Sequence, residues 1–324
     1  MMATEEADTS TMDEPHPEIK GLLDMMGSMP SPPLGSLSPT GAREAASGMF
    51  PAPEEPEPVG DVMDLRIQGP NGDVPVRVYV PDSPGPHPAL VYLHGGGWVI
   101  GDVDMYDPTC RAITNAADRM VISVDYRLAP EHEFPEPLED AYAALEWVAE
   151  NAEAMQIDAD NIAIGGDSAG GNLAAAVAQL ARDQDGPSIE RQVLIYPVTD
   201  HAFDTDSYEE NAEGYLLSKS DMQWFWDQYL RDDIDGKNPY AAPLQATDFS
   251  DLPPATVVTC GFDPLRDEGA AYADALQTDG VDVNHLQYDD CIHGAIQLIV
   301  DPMKVTRGEE MIDDVAADLT TAQE

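Results

Sequence analysis

The segment Gly166-Asp167-Ser168-Ala169-Gly170 constrains this chain more than any other. It follows the short apolar run Asn161-Ile162-Ala163-Ile164 and opens an alanine-rich stretch of helical composition. A strand turning sharply into a helix is the setting in which Gly-x-Ser-x-Gly presents a serine on a strained elbow. The residues two before and two after the serine must then lack bulk, which Gly166 and Gly170 satisfy. The bare pattern arises by chance in roughly one chain in ten of this length, so its weight depends on its company.

About seventy residues upstream, His94-Gly95-Gly96-Gly97-Trp98 directly follows the apolar run Ala89-Leu90-Val91-Tyr92-Leu93. A His-Gly-Gly-Gly tetrapeptide is far rarer, roughly one in several hundred chains on the same arithmetic. Glycines let a backbone approach a reacting carbonyl and present its N–H groups to a developing oxyanion. The residue after the elbow serine, Ala169, supplies a further N–H of that kind.

A serine hydroxyl needs a base, and the base needs a carboxylate to orient it. Behind such an elbow the acid follows the serine and the histidine follows the acid, which leaves His201, His285 and His293 of the seven histidines. His201 stands in an acidic stretch and reads as solvated surface. His285 lies within the alternating run Val281–Tyr288, held on one sheet face. His293 stands just beyond that run, before Gly294, where an active-site base belongs, and is preferred. For the acid, the apolar run Pro254–Cys260 ends in Gly261-Phe262-Asp263-Pro264, placing Asp263 at a strand end; Asp267 is the fallback. Asp289 and Asp290 are set aside as too near the histidine's own loop.

These motifs, with Tyr126-Arg127-Leu128-Ala129-Pro130-Glu131 and Asp263-Pro264-Leu265-Arg266-Asp267-Glu268, resemble the hormone-sensitive-lipase family of α/β-hydrolase esterases. The resemblance runs from about residue 15 to the C-terminal helix. It implies a triad of Ser168, Asp263 and His293 and an oxyanion hole of the Gly96, Gly97 and Ala169 N–H groups. It also implies that Arg127 and Glu131 form an ion pair beneath the site. Two residues depart from the family pattern, Cys291 and Ala295, and both imply altered pocket walls.

From Val62 onward, strand-like and helix-like segments alternate, the mark of a mostly parallel sheet with helices on both faces. Val62–Ile67 and Val74–Val80 read as an initial antiparallel pair. Buried strands follow at Ala89–Leu93, Met120–Val124, Ile162–Gly165, Val193–Tyr196, Thr256–Cys260 and Val283–Tyr288. The segment from Asn172 to Ala181 is apolar almost all round and belongs in the sheet's centre. Residues 1 to about 14 read as acidic and disordered. Two short amphipathic helices follow, one carrying Ile19, Leu22, Leu23 and Met26 on one face and one starting at Ser38-Pro39. The organisation expected is an acidic tail and N-terminal cap helices over 1–58, then a catalytic domain over 59–324 with a cap insertion at about 201–238. The aromatics of that insertion place Trp224 or Phe225 toward substrate; the alternative is that they only glue the cap to the core.

Lys and Arg total 15 against 62 Asp and Glu, a formal net charge of −47, yet 43% of the chain is hydrophobic. A folded core under an acidic skin implies concentrated salt, which screens self-repulsion within about 3 Å at 1 M. The expected setting is the salt-rich cytoplasm of an archaeal halophile. The same charge argues against nucleic acid and anionic membranes as partners. Cys110, Cys260 and Cys291 show neither disulfide nor metal spacing. The acidic N-terminus shows no secretion signal, and no apolar stretch approaches the ~20 residues that span a bilayer. The function expected is a serine carboxylesterase of short- to medium-chain esters, without metal or cofactor. Its partners are a small-molecule ester and, at most, a second copy in a homodimer. A serine peptidase or amidase, or a non-catalytic ligand receptor, are the rival readings.

Overall fold

Eight strands form one sheet among the residues described by the computed structural model, which are 14–28, 32–50, 52–53 and 55–321. The acidic tail read as disordered lies, through residue 13, outside the described residues. The strands are β1 (Asp61–Gly69), β2 (Gly72–Val80), β3 (His87–Leu93), β4 (Met120–Val124), β5 (Ile157–Asp167), β6 (Gln192–Ile195), β7 (Ala255–Phe262) and β8 (Val283–Ile292). Their order is β1-β2-β4-β3-β5-β6-β7-β8. The pairs β1–β2 and β2–β4 are antiparallel and the remaining pairs parallel. This is the α/β-hydrolase arrangement, and the expected strands all form. Strand β8 runs four residues past its expected end at Tyr288, so His293 follows it immediately.

The period-2 geometry of a strand sorts its side chains onto two faces. In β3, Ala89, Val91 and Leu93 enter one core, and Leu90 and Tyr92 enter the other. The first core takes Leu138, Leu145 and Val148 of α4 (Glu136–Met155), Leu173 and Val177 of α5 (Ala169–Asp183), and Tyr272 and Leu276 of α8 (Arg266–Thr278). The second takes Ile19 and Leu22 of α1 (Pro17–Gly27), Ile113 of α3 (Asp107–Ala117), and Met311, Val315 and Leu319 of α9 (Thr306–Thr321). Helix α5 is buried along nearly its whole length, as its all-round apolar composition requires.

Ser38 caps α2 (Pro39–Met49), accepting a bond from the Gly41 N–H at 3.1 Å with Pro39 in the first turn, as its sequence predicts. Arg43 of this helix donates to the Val99 and Ala129 carbonyls and to both carboxylate oxygens of Glu131. That contact corrects the expected Arg127–Glu131 pair. Arg127 instead bonds Asp140 of α4 at 2.6 Å, because the chain after Ala129 carries Glu131 outward onto α2. Between β6 and β7 lie α6 (Asp206–Glu210) and α7 (Lys219–Tyr229), the latter opened by a Ser218–Asp221 capping box. His201 enters this layer and is not the solvated surface residue expected. It is half-buried, its ring 4.9 Å from Trp226 and 5.1 Å from Phe203.

Candidate active site

In an open parallel sheet the loops at the carboxyl ends of the strands carry the site. Here those loops follow β3, β5, β6, β7 and β8. Strand β5 turns into α5 at Ser168, whose φ of 56° and ψ of −118° lie where an L-residue is strained. The turn is tight against β3. A Cβ at Gly166 would stand 2.2 Å from the Leu93 carbonyl oxygen, and one at Gly170 would stand 1.9 Å from it. Those two glycines are therefore steric necessities of an elbow that abuts the glycine loop.

The elbow delivers Ser168 to His293. The Ser168 Oγ lies 2.8 Å from His293 Nε2, and His293 Nδ1 lies 2.8 Å from Asp263 Oδ2. A carboxylate only accepts, so Nδ1 carries the proton and Nε2 accepts from the serine hydroxyl. Asp263 is wholly buried and its other oxygen accepts from the Leu265 N–H at 2.9 Å. Asn211, just past α6, donates to the Gly261 and Asp263 carbonyls and fixes the acid's loop. The Tyr196 ring packs 4.6 Å from the imidazole. The predicted serine, acid and base thus come together across 125 and 30 residues of sequence. The two fallbacks do not join them. Asp267 accepts from the Ser207 N–H and Arg266, and His285 contacts Thr259 on the neighbouring strand.

Ala169 opens α5, so its N–H has no intrahelical acceptor. Among the described residues no acceptor is bonded to the N–H of Gly96 or Gly97 either. Gly96 and Gly97 have φ of 111° and 57°, and the Gly96 carbonyl turns back to accept from Val99 and Ile100. Phe225 of α7 lies on Gly97: a Cβ there would fall 2.1 Å from the ring. Trp224 has its indole against Gly35 of the N-terminal segment and its ring 5.3 Å from that of Phe225. Of the two aromatics expected at the substrate, Phe225 is at the glycine loop. Cys291 and Ala295 have no exposed surface and lie in the core shared with α9, so neither forms a pocket wall.

Two buried groups near the site were missed by sequence reasoning. His94 stacks on Tyr126 with ring centres 4.3 Å apart, its Nδ1 2.8 Å from the Gly95 carbonyl, and burial pushes its pKa down to about 4. It stays neutral and is part of the loop's frame. Asp167, inside the serine motif itself, accepts from Tyr92, Tyr106 and the Gly95 N–H. Burial raises its carboxyl pKa while those bonds oppose the shift. Its position within the motif was the only sequence signal.

Comparison with known proteins agrees with this fold. Residues 90–297 match the family model described as the alpha/beta hydrolase fold. The carboxylic ester hydrolase LipN of Mycobacterium tuberculosis is 48% identical over 74% of this chain, which spans 65% of LipN's length. Carboxylesterase NlhH of the same organism is 39% identical, over 86% of this chain and 88% of its own. An ester hydrolase from the metagenome of Lake Arreo, solved with a bipyridine phosphonate derivative, superposes with a TM-score of 0.89. It is 41% identical, over 94% of this chain and 98% of that one. The chain belongs to the α/β-hydrolase-fold family, within its hormone-sensitive-lipase-like esterases. Its activity is that of a carboxylic ester hydrolase.

Proposed function

We propose that Ser168 is the nucleophile, His293 the general base and Asp263 the residue that orients it. The observation carrying this reading is the unbroken Asp263–His293–Ser168 chain, with both links at 2.8 Å. Ser168 Oγ attacks the ester carbonyl carbon as its proton passes to His293 Nε2, and the imidazolium formed is held by the Asp263 carboxylate. The carbonyl oxygen gains a negative charge, stabilised by the N–H groups of Gly96, Gly97 and Ala169. His293 then returns the proton to the departing alkoxide, leaving an acyl-serine and an alcohol. Water, deprotonated by His293, releases the carboxylic acid and restores Ser168. The described N-terminal helices before β1 and the insertion at about 201–238 form the cap, with Phe225 over the glycine loop as a pocket wall. Support for this comes from Arg43 gripping Val99 and from Trp224 seated on Gly35. The substrates are short- to medium-chain esters. Within the N-terminal part, α1 packs against α9, where Glu18 accepts from the Thr306 N–H.

The acidic surface supports a working environment of concentrated salt, consistent with a cytoplasmic halophile enzyme of archaeal origin. Among the described residues, every Lys and Arg except Arg66 and Lys237 stands within 4.0 Å of a carboxylate. The few cations are therefore already engaged, and the remaining repulsion is left to dissolved counterions. No helix among the described residues is long and apolar enough to cross a membrane. The test is hydrolysis of p-nitrophenyl esters of rising acyl length, at low salt and at about 2–3 M KCl, where screening is nearly complete. Activity that needs salt, peaks at short or medium chains and vanishes in Ser168→Ala supports the whole reading. Full activity without salt removes the halophile, and an active Ser168→Ala removes the nucleophile.

A further inference from the structure

Resting on the assignment of Ser168 and His293 above, we propose that Asp167 is a positioning residue whose buried carboxylate ties three of the active-site loops, those after β3, β5 and β8, to one another. Asp167 is 1% exposed. Its Oδ1 accepts from the Tyr92 hydroxyl of β3 at 2.9 Å and from the Gly95 N–H of the glycine loop at 3.0 Å. Its Oδ2 accepts from the Tyr106 hydroxyl at 3.0 Å. Tyr106 in turn accepts from Gln297 Nε2 at 2.5 Å, four residues beyond His293. One carboxylate thus reaches the elbow through its own backbone, the oxyanion loop through Gly95, and the histidine loop through Tyr106 and Gln297.

Three facts favour positioning over mere packing. No Lys or Arg among the described residues pairs with this carboxylate, so burying it is costly and its return lies in directed hydrogen bonds. A Cβ on Gly95 would stand 2.4 Å from Asp167 Oδ2 and 2.8 Å from the Tyr106 hydroxyl. The carboxylate itself therefore dictates the first glycine of His-Gly-Gly-Gly, before any substrate is considered. Finally, Gly95 immediately precedes the donors Gly96 and Gly97, and Asp167 stands two residues before the donor Ala169. Both halves of the oxyanion hole hang from the same group. Displacing donors by about 1 Å costs on the order of 100-fold in rate.

The experiment compares full-length wild type, Asp167→Ala, Asp167→Asn and Tyr106→Phe in molar KCl on a short-chain p-nitrophenyl ester. Ser168→Ala is the control, and active sites are counted with an organophosphonate. Asp167→Ala is expected to lose about 100-fold in kcat per titrated site with KM nearly unchanged. Asp167→Asn keeps one acceptor for Gly95 and is expected to recover at least about tenfold of that loss. Wild-type kcat in folded Asp167→Ala, a loss confined to KM, or an Asn variant no better than Ala overturns the proposal. If Asp167→Ala does not fold, Tyr106→Phe decides. This change removes the Oδ2 bond and the link to Gln297, and about a tenfold fall in kcat is expected; an unchanged kcat overturns the proposal. With Ser168→Ala inert, fully active Asp167 variants refute the positioning role alone. An active Ser168→Ala refutes the nucleophile assignment on which it rests.

Discussion

The floor of the active site and the proposed cap above it are held by different physics. On the floor, Asp263, His293, Ser168, Asp167, Tyr92 and Tyr106 form a network in which each group has a bonded partner at 2.8–3.0 Å. At the cap, Trp98 stacks on Tyr229 with ring centres 4.1 Å apart, and Trp226 packs 4.6 Å from Trp98. The Trp98 and Trp226 indole N–H groups and the Tyr229 hydroxyl are buried with no partner among the described residues. Hydrogen bonds are directional and fix angles, whereas stacked rings slide at little cost. Turnover should therefore answer to the floor, and substrate choice to the cap.

The severest test of that contrast is Asp263→Asn. Exchanging the acceptor for an amide favours the wrong imidazole tautomer while leaving shape intact, and kcat is expected to fall about 10,000-fold with KM little changed. Loss appearing mainly in KM would break the comparison. Next comes Gly97→Ala, where the added carbon meets the Phe225 ring at 2.1 Å and the backbone stands at a φ of 57°. A fall of about 100- to 1000-fold in kcat is expected. Adding Phe225→Ala should restore only part of it, because the φ strain remains after the clash has gone.

The division between floor and cap follows what sequence order can and cannot reveal. The meeting of Ser168, the glycine loop, Asp263 at the end of β7 and His293 after β8 was legible because each lies at a strand terminus. Strand termini follow from apolar runs, and before His293 from an alternating one, that end at turn residues. The N-cap at Ser38 was legible because a cap is made by residues three apart. What escaped were side-chain partners chosen in three dimensions: Arg43 for Glu131, separated by 88 residues, and Asp167 for Gly95, separated by 72. Local pattern also misjudged His201, since the acidic neighbours that suggested solvent do not show that Trp226 and Phe203 close over the ring. The family motif placed Arg127 near the site's floor, yet only the packing of α4 supplies Asp140 as its partner.

A smaller change is expected from the cap. Phe225→Leu keeps an apolar side chain while opening space above Gly97. The ratio of kcat/KM for long over short acyl chains should rise by about tenfold, the scale on which apolar pockets discriminate added methylenes. The change should appear in the rank order of p-nitrophenyl esters, with kcat on the preferred ester held within a few-fold. An unchanged rank order would remove Phe225 from the pocket wall and assign it to packing alone.

The smallest effect on turnover is expected from His94, whose contribution is to stability. Its folded pKa is pushed down to about 4 by burial, below the ordinary value of 6.5. Between those limits the unfolded chain binds a proton that the folded one refuses, so stability falls as pH drops from about 6.5 toward 4. The slope from this one group approaches 1.4 kcal/mol per pH unit, about one proton's worth. Asp125 works the other way. Its carboxyl is pushed up to about 6 by burial and by Asp102 and Asp104, so it favours the folded state as pH falls. His94→Phe keeps a ring to stack on Tyr126 and removes the titration. Thermal melts in molar KCl should show a shallower loss of stability between pH 6.5 and 4 in that variant than in wild type. Parallel slopes would mean that His94 takes up its proton in the folded state, against the burial that pushes its pKa down.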